Sequence, residues 1–527
     1  MTTETVDLFV IGGGVNGCAI ARDASGRGLS VALAEMGDLA QATSSASTKL
    51  FHGGLRYLEF FEFRLVREAL TEREVLLQAM PHIAWPLRFV LPLDPDMRFA
   101  GDTPAGRLLS LVMPWRKGSR PAWMIRFGLF LYDHIGGRRL LPPTRHVDLR
   151  ADPAGAVLKP SLTRAFEYSD CWVQDSRLVV LLARDAARRG ARIMTRTRVE
   201  AATRQGDLWQ IALRDEGGTR QMQARALVNA AGPWAAEVAR DGLHQPATGD
   251  IRLVRGSHIV TRRLYDHDRA YFLQGPDGRI VFAIPYEGDF TLIGTTEADH
   301  PDPDTAPHCS DAERRYLLDF VSDYFARPVT EADIVWTYAG VRALHAEEDA
   351  SATATSRDYD LDLQTEGGAA LLSIAGGKIT THRRLAEAAM ARLAPVFSGL
   401  PGDWTAGVAL PGGDFPVGGA DDLATVLRAD YPFLGASWAR RLVRTYGTEA
   451  RDLLGPARSA ADLGADFGAT ITAAELAWVV DHEWVRCGAD FLWRRTRLGL
   501  RLTGAQAGAI DTHIAGLVAA TTATAGP

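Results

Sequence analysis

The chain opens on a short apolar run, Val6–Ile11, that breaks into Gly12-Gly13-Gly14. A run of this length closed by a turn signal reads as a buried strand. A helical segment follows, then a second apolar run, Ser30–Ala34, ending on Glu35. The alternation resumes further on. Ser176–Arg189 reads as a helix, and Ala191–Arg198, Leu208–Leu213 and Ala226–Ala231 as strands. Leu371–Ala375 predicts one more strand, followed by the turn Gly376-Gly377 and a helix from Thr380 onward. Strands alternating with helices predict a parallel α/β sheet. Between residues 235 and 349 the pattern changes to short strands, Ser257–Thr261, Ile280–Ile284 and Phe290–Thr295, separated by turns such as Pro276-Asp277-Gly278. That spacing predicts an antiparallel sheet. Beyond about residue 410 the chain is Ala-rich and helical, set off by Pro411-Gly412-Gly413, and the tail from Thr521 is expected to be disordered.

These segments predict three domains, since 527 residues exceed one ordinary core. Residues 1–80, 150–234 and 350–400 form a discontinuous nucleotide-binding domain. Residues 81–149 and 235–349 form a substrate-binding, membrane-facing domain, and 401–527 a helical C-terminal domain. A hydrophobic content of 46% is that of a soluble globular protein. No uninterrupted apolar run reaches the ~18 residues of a membrane span. No secretory signal precedes the first strand, so a cytoplasmic place, or attachment to the inner face of the cell membrane, is expected. Cys18, Cys171, Cys309 and Cys487 are scattered without a CxxC, which predicts free thiols and no metal site. Cys18, within the first helix, is expected to pack as a small side chain. A net charge of −6 argues against nucleic acid as a partner.

The first glycines carry chemistry. Gly12 permits a tight turn, Gly14 lets backbone approach a pyrophosphate, and Gly17 lets the helix lie close to the strand. The helix start offers N–H groups and a positive dipole end to the phosphates. Glu35 stands where a carboxylate binds ribose hydroxyls, which favours FAD or NAD over NADP.

Two further motifs add to it. Ala42–Glu59 gathers Thr43, Ser44, Ser45, Ser47 and Thr48, then Lys49, His52, Gly53-Gly54, Arg56 and Tyr57. Small hydroxyl residues let backbone run close to a cofactor, and paired glycines admit a flat ring. Ala231-Gly232-Pro233-Trp234 closes a buried strand beside the nucleotide. In Gly376-Gly377-Lys378-Ile379-Thr380-Thr381 a cation and a helix start coincide, with Thr380 or Thr381 as N-cap. Such a start stabilises the negative charge of a reduced flavin. Lysine is scarce, occurring only at Lys49, Lys117, Lys159 and Lys378, and two of the four fall in these motifs.

The set GGGVNGCAIARDASGRG, SSASTKLFHGGLRYLE, AAGPWA, GSHIV, AGVRAL and AGGKITTHR, with HEWVRCGADFLWRRTRLGL near the C-terminus, resembles the FAD-dependent glycerol-3-phosphate dehydrogenase family over nearly the whole chain. The resemblance implies a glutathione-reductase-type, Rossmann-like FAD-binding domain, an antiparallel substrate domain like that of D-amino-acid oxidase, and a helical C-terminal domain. It implies noncovalent FAD and oxidation of sn-glycerol 3-phosphate to dihydroxyacetone phosphate. Arg56, Tyr57, Arg342 and Lys378 would hold the phosphate, and His258 would be the base, with Arg342 and Lys378 also acting in catalysis. The implied cofactor set is Gly12, Gly14, Gly17, Glu35, Thr43, Ser44, Ser45, Ser47, Lys49, His52, Gly53, Val199, Ala231, Gly232, Trp234, Gly377, Lys378, Thr380 and Thr381. His382 departs from the family's usual aromatic.

Membrane quinone is the expected electron acceptor; the family's oxidase branch uses oxygen and makes hydrogen peroxide. Pro114–Tyr132 mixes cations with Trp, Phe, Met and Leu, as a segment lying on anionic lipid does. A core helix with charged ends is the alternative for that stretch. The same flavin fold also serves RNA-modifying enzymes and redox-sensing binding modules. The first would call for a basic surface, and the second would not need cations beside the flavin. Whether the chain pairs as a homodimer stays open.

Overall fold

The computed structural model describes residues 4–94, 121–246, 251–275, 278–345 and 359–524. The first sheet is built on Glu4–Ile11, whose residues Leu8 to Val10 are fully buried because the sheet is covered on both faces. It pairs in parallel with Val31–Ala34 on one side and Gly218–Asn229 on the other. Arg192–Met194 and Ala370–Gly376 extend the parallel ladder outward. Tyr359–Gln364 closes one edge antiparallel, and Arg198–Gln205 with Leu208–Asp215 forms an antiparallel flap on the start of Gly218–Asn229. Helix Val15–Gly26 packs against helices Asp175–Arg188 and His382–Leu393. Since the central strands run parallel, Ile11, Ala34, Asn229 and Gly376 end on one edge, where nucleotides bind in such sheets.

Among the described residues the second sheet has ten strands. Ile251–Arg262 pairs antiparallel with Ile334–His345 and with Phe290–Gly294. Ala84–Pro92 pairs with Arg164–Val173, which also carries Leu50–Phe51. The strands at 50–51 and 164–173 thus belong to the second sheet, although the sequence pattern assigns both ranges to the nucleotide-binding part. The C-terminal region is helical, with Ala420–Asp430, Ala436–Tyr446, Ala473–Glu483 and Gly504–Thr524 around a core that includes Tyr446, Leu476 and Phe491.

Several expectations shift. Ala191–Arg198 is not one strand: Arg192–Met194 ends in a turn at Arg196 (φ 50°), and a separate strand starts at Arg198. The strand expected from Ala226 begins at Gly218. The last helix runs on to Thr524, so Thr521–Thr524 is ordered as helix. The helix expected from Thr380 starts at His382, after the single turn Ile379–Thr381, and its N-cap Thr381 makes no side-chain capping bond. Residues 276 and 277 of the expected turn lie outside the described residues. All four cysteines are free, with Cys18 fully buried in the main core, and no metal-binding cluster is found among the described residues.

Candidate active site

A cleft of about 670 Å³ begins at the C-terminal edge of the parallel strands and reaches under the second sheet. Its near end is the glycine turn. Gly12 has φ 109°, and a Cβ there would lie 2.5 Å from the carbonyl oxygen of Ala230, so no other residue fits without strain. A Cβ at Gly17 would lie 2.0 Å from the Gly12 carbonyl oxygen, which is the close helix–strand approach its position requires. The helix then starts from Gly14 with no side-chain cap. Glu35 accepts from Gly13 N at 2.7 Å and from Gly37 N at 2.8 Å, and burial pushes its carboxyl above the usual range. Asn16 donates to the Gly376 carbonyl while its buried Oδ1 has no protein partner among the described residues.

The loop from Ala42 to Lys49 forms the middle of the cleft and is pinned at almost every residue. Thr43 donates to the Val341 carbonyl, and Ser44 Oγ accepts from Val15 N at 3.0 Å. Ser47 bonds Asp175 Oδ2 through both its N–H and its hydroxyl. Gly12, Gly14, Glu35, Thr43, Ser44, Ser47, His52, Val199, Ala231, Gly232, Trp234, Gly377, Lys378 and Thr380 all line the cleft. Tyr57, His258 and Arg342 line it too.

Other expected residues lie outside the lining. Lys49 is the clearest correction: its fully buried ammonium turns to Asp175, at 2.8 and 3.0 Å, and to the Ser45 carbonyl at 3.1 Å. Burial brings this ammonium down to about 8, against the attraction of Asp175. Ser45 braces the loop through that carbonyl and Gly17 packs the helix. Gly53 donates its N–H to Tyr132 Oη at 2.7 Å, on the side toward helix Ala122–Ile135. Thr381 is buried and faces the Lys378 carbonyl, and Arg56 is half-buried beside Tyr57. His382 does an aromatic's work, stacking on Phe51 with centroids 6.5 Å apart while Nδ1 bonds the Ile379 carbonyl oxygen.

At the far end the second sheet supplies the chemistry. His258 sits on Ile251–Arg262 directly between Gly294 and Tyr338 on the neighbouring strands. Its ring stacks on Tyr338 at 4.7 Å, and Nε2 lies 3.0 Å from Thr48 Oγ1. Burial pushes the imidazole well below its usual value, and the cations Lys49 and Arg342 push the same way, so it is neutral near pH 7. Arg342 reaches Glu297 at 3.5 Å and Thr295 Oγ1 at 3.4 Å. Lys378 lies 3.9 Å from the centre of the Tyr57 ring, a cation–π contact. A buried neutral imidazole and two cations therefore meet in one cleft. Sequence reading marks Thr48 only as one loop hydroxyl and misses Asn16, Asp175 and Tyr338. Their roles come from partners distant in the chain: Asn16 with Gly376, Thr48 with His258, Asp175 with Lys49 and Tyr338 with Ser47.

The glycine turn, Glu35, the uncapped helix start and the orphaned Asn16 oxygen fit a dinucleotide, and the cations at the far end suit a flavin ring above an anionic substrate. Fold and site together define a flavin-dependent oxidoreductase. The chain matches the FAD dependent oxidoreductase family over residues 7–383 and the C-terminal domain of alpha-glycerophosphate oxidase over 404–523. It is 49% identical to the aerobic glycerol-3-phosphate dehydrogenase of Escherichia coli, over 95% of this chain and 96% of that one. It is 45% identical to the D-erythritol 1-phosphate dehydrogenase of Brucella abortus, over 95% and 96%. The glycerol-3-phosphate dehydrogenase of Bacillus halodurans, solved with FAD, shares the fold with a TM-score of 0.70 at 24% identity, covering 97% of this chain and 94% of that one. The chain belongs to the family of FAD-dependent glycerol-3-phosphate dehydrogenases.

Proposed function

We propose that this protein oxidises sn-glycerol 3-phosphate to dihydroxyacetone phosphate and passes the electrons to a membrane quinone. The observation that carries the reading is the meeting of neutral, buried His258 with Arg342 and Lys378 in one cleft. A bound FAD would supply the acceptor for the hydride of carbon-2. The chain's own residues do the rest. Arg342, Lys378 and Tyr57 hold the phosphate dianion, the guanidinium through forked contacts. His258 takes the hydroxyl proton, and Arg342 steadies the developing alkoxide. The names of the E. coli and Pseudomonas aeruginosa relatives support this substrate. The Brucella relative favours a second reading, a longer polyol phosphate with the same phosphate and neighbouring hydroxyl.

The choice of quinone rests on the surface. Helix Ala122–Ile135 buries Ile125, Leu129 and Tyr132 and exposes Trp123, Phe127 and Phe130, with Arg126 among them. Phe61 and Phe63, at the start of the helix it packs against, are also exposed. Exposed aromatics around a cation suit the headgroup zone of an anionic bilayer on the inner face of the cell membrane. Arg116, Lys117 and Arg120, which the sequence adds to this segment, lie outside the described residues. Among the described residues no helix is long and apolar enough to cross a membrane.

The deciding experiment is anaerobic mixing of the flavin-loaded protein with glycerol 3-phosphate or D-erythritol 1-phosphate, followed by a soluble quinone or oxygen. Bleaching by glycerol 3-phosphate, reversed much faster by quinone, is the expected result. Faster reversal by oxygen with stoichiometric peroxide would mean an oxidase. Bleaching only by the tetritol phosphate would mean the second reading.

A further inference from the structure

Arg342 stands opposite Val254 in the ladder between Ile251–Arg262 and Ile334–His345, yet its guanidinium reaches diagonally across to Gly256. A Cβ on Gly256 would stand 2.8 Å from Arg342 Nη2 and 2.8 Å from Thr295 Oγ1, well inside van der Waals contact. The backbone at this glycine is ordinary strand, paired in register with Gly340, and takes no positive φ. Gly256 is therefore required for space and not for conformation. Its partner Gly340 has a different occupant: a Cβ there would stand 2.7 Å from Ala46 Cβ, on the loop Ala42–Lys49. The paired glycines leave a bare patch of backbone on the cleft side of the sheet, which the guanidinium and the loop share.

The strand under that patch is held fast. Arg255 and Ser257, on either side of Gly256, alternate to the other face and donate to the Glu313 carboxylate at 2.9 and 2.8 Å. Ser257 N also donates to Thr296 Oγ1 at 2.9 Å. The guanidinium, by contrast, is the far end of a flexible side chain. A methyl group at position 256 would displace the guanidinium and leave the strand where it is. His258 follows on the same face two residues on, so the seat lies next to the imidazole, and Arg342 is one of the charges that act on that ring.

We propose that Gly256 is a positioning residue: its missing side chain makes the seat that holds the Arg342 guanidinium beside His258, where it meets the substrate's oxygens. The inference rests on the proposed role of Arg342 toward the substrate.

A cycle of three flavin-loaded variants tests it, Gly256→Ala, Arg342→Ala and the two combined. The readouts are kcat/KM for anaerobic flavin reduction by glycerol 3-phosphate, melting temperature and retention of flavin. Gly256→Ala should lose about 10- to 100-fold in kcat/KM, the scale on which a small misplacement of a catalytic group is felt, while melting and flavin retention stay near wild type. The double variant should be no slower than Arg342→Ala, because no guanidinium is left to displace. Gly256→Ala reduced as fast as wild type overturns the proposal, and so do two losses that multiply in the double variant. Should the alanine lower the melting temperature, removing the Arg342 side chain should restore it, and a deficit that persists counts against the seat. If glycerol 3-phosphate fails to reduce even the wild type, the substrate reading falls by itself, and a crystal structure of Gly256→Ala decides the seat. A displaced guanidinium over an unmoved strand upholds it, and a guanidinium in place over a shifted strand overturns it.

Discussion

Next to His258, the carboxylate of Glu313 gathers the donors that hold its strand in place. Ser257 Oγ and Thr296 Oγ1 each donate to Oε1 at 2.8 Å, and Arg255 and Ser310 donate to Oε2. Burial raises a carboxyl, but these bonds outweigh it and bring Glu313 down to about 2. The sign follows. A depressed folded value gives stability that is complete above the unfolded value of about 4.5 and is lost as pH falls toward about 2. Melting temperature followed across that window should fall less steeply in Glu313→Gln than in wild type. The variant should also be weaker at pH 7, by about 3 kcal/mol, the ordinary cost of breaking a buried ion pair. Arg342 belongs to the same scale. Its forked contacts are not replaced by an ammonium, so Arg342→Lys should lower kcat/KM for glycerol 3-phosphate by about 100-fold, and an unchanged value would remove it from the site. Arg342 and His258 were legible as candidates through their motifs. The contact of His258 with Thr48 was not, since the two lie 210 residues apart in the chain.

At the scale of the element, helix Ala122–Ile135 shows what patterning reveals and what it hides. The proposed lipid contact rests on its mixture of aromatics and cations, which the folded helix divides into a buried and an exposed side. Replacing Trp123, Phe127 and Phe130 together with Ser should abolish sedimentation with anionic vesicles while leaving reduction by substrate intact. Retained sedimentation would move the membrane contact elsewhere. The elements read well where the period was clean, as in Val6–Ile11 and the helix at 175–188. They read poorly at 191–198, where alternation continues through the turn at Arg196, so hydropathy carries no sign that the chain bends.

The whole molecule is locked by charges buried between domains. Arg495, in the C-terminal region, donates to both oxygens of Asp38 at 2.8 Å, and both residues are fully buried. Arg177 on helix Asp175–Arg188 donates to one oxygen of Glu483 in the C-terminal region, and both residues are buried. Removing one partner leaves an uncompensated buried charge. Asp38→Asn should therefore cost about 3 to 5 kcal/mol in denaturant titration. It should also loosen the Asp175–Lys49 brace, visible as faster loss of flavin on dilution. A variant as stable as wild type would show the domains to be held by apolar packing instead.

The sequence by itself determined the glycine fingerprint, the cofactor class, the alternation of strand and helix, and the family. These depend on residues near one another in the chain, where spacing is information. Tertiary structure decided the rest: that the Lys49 ammonium pairs with Asp175, that strands at 50–51 and 164–173 join the second sheet, and that His258 meets Thr48 and Tyr338. Each of these is a choice among partners distant in sequence, and burial settles it. A charge or a donor removed from water must take the partner that the fold brings within reach.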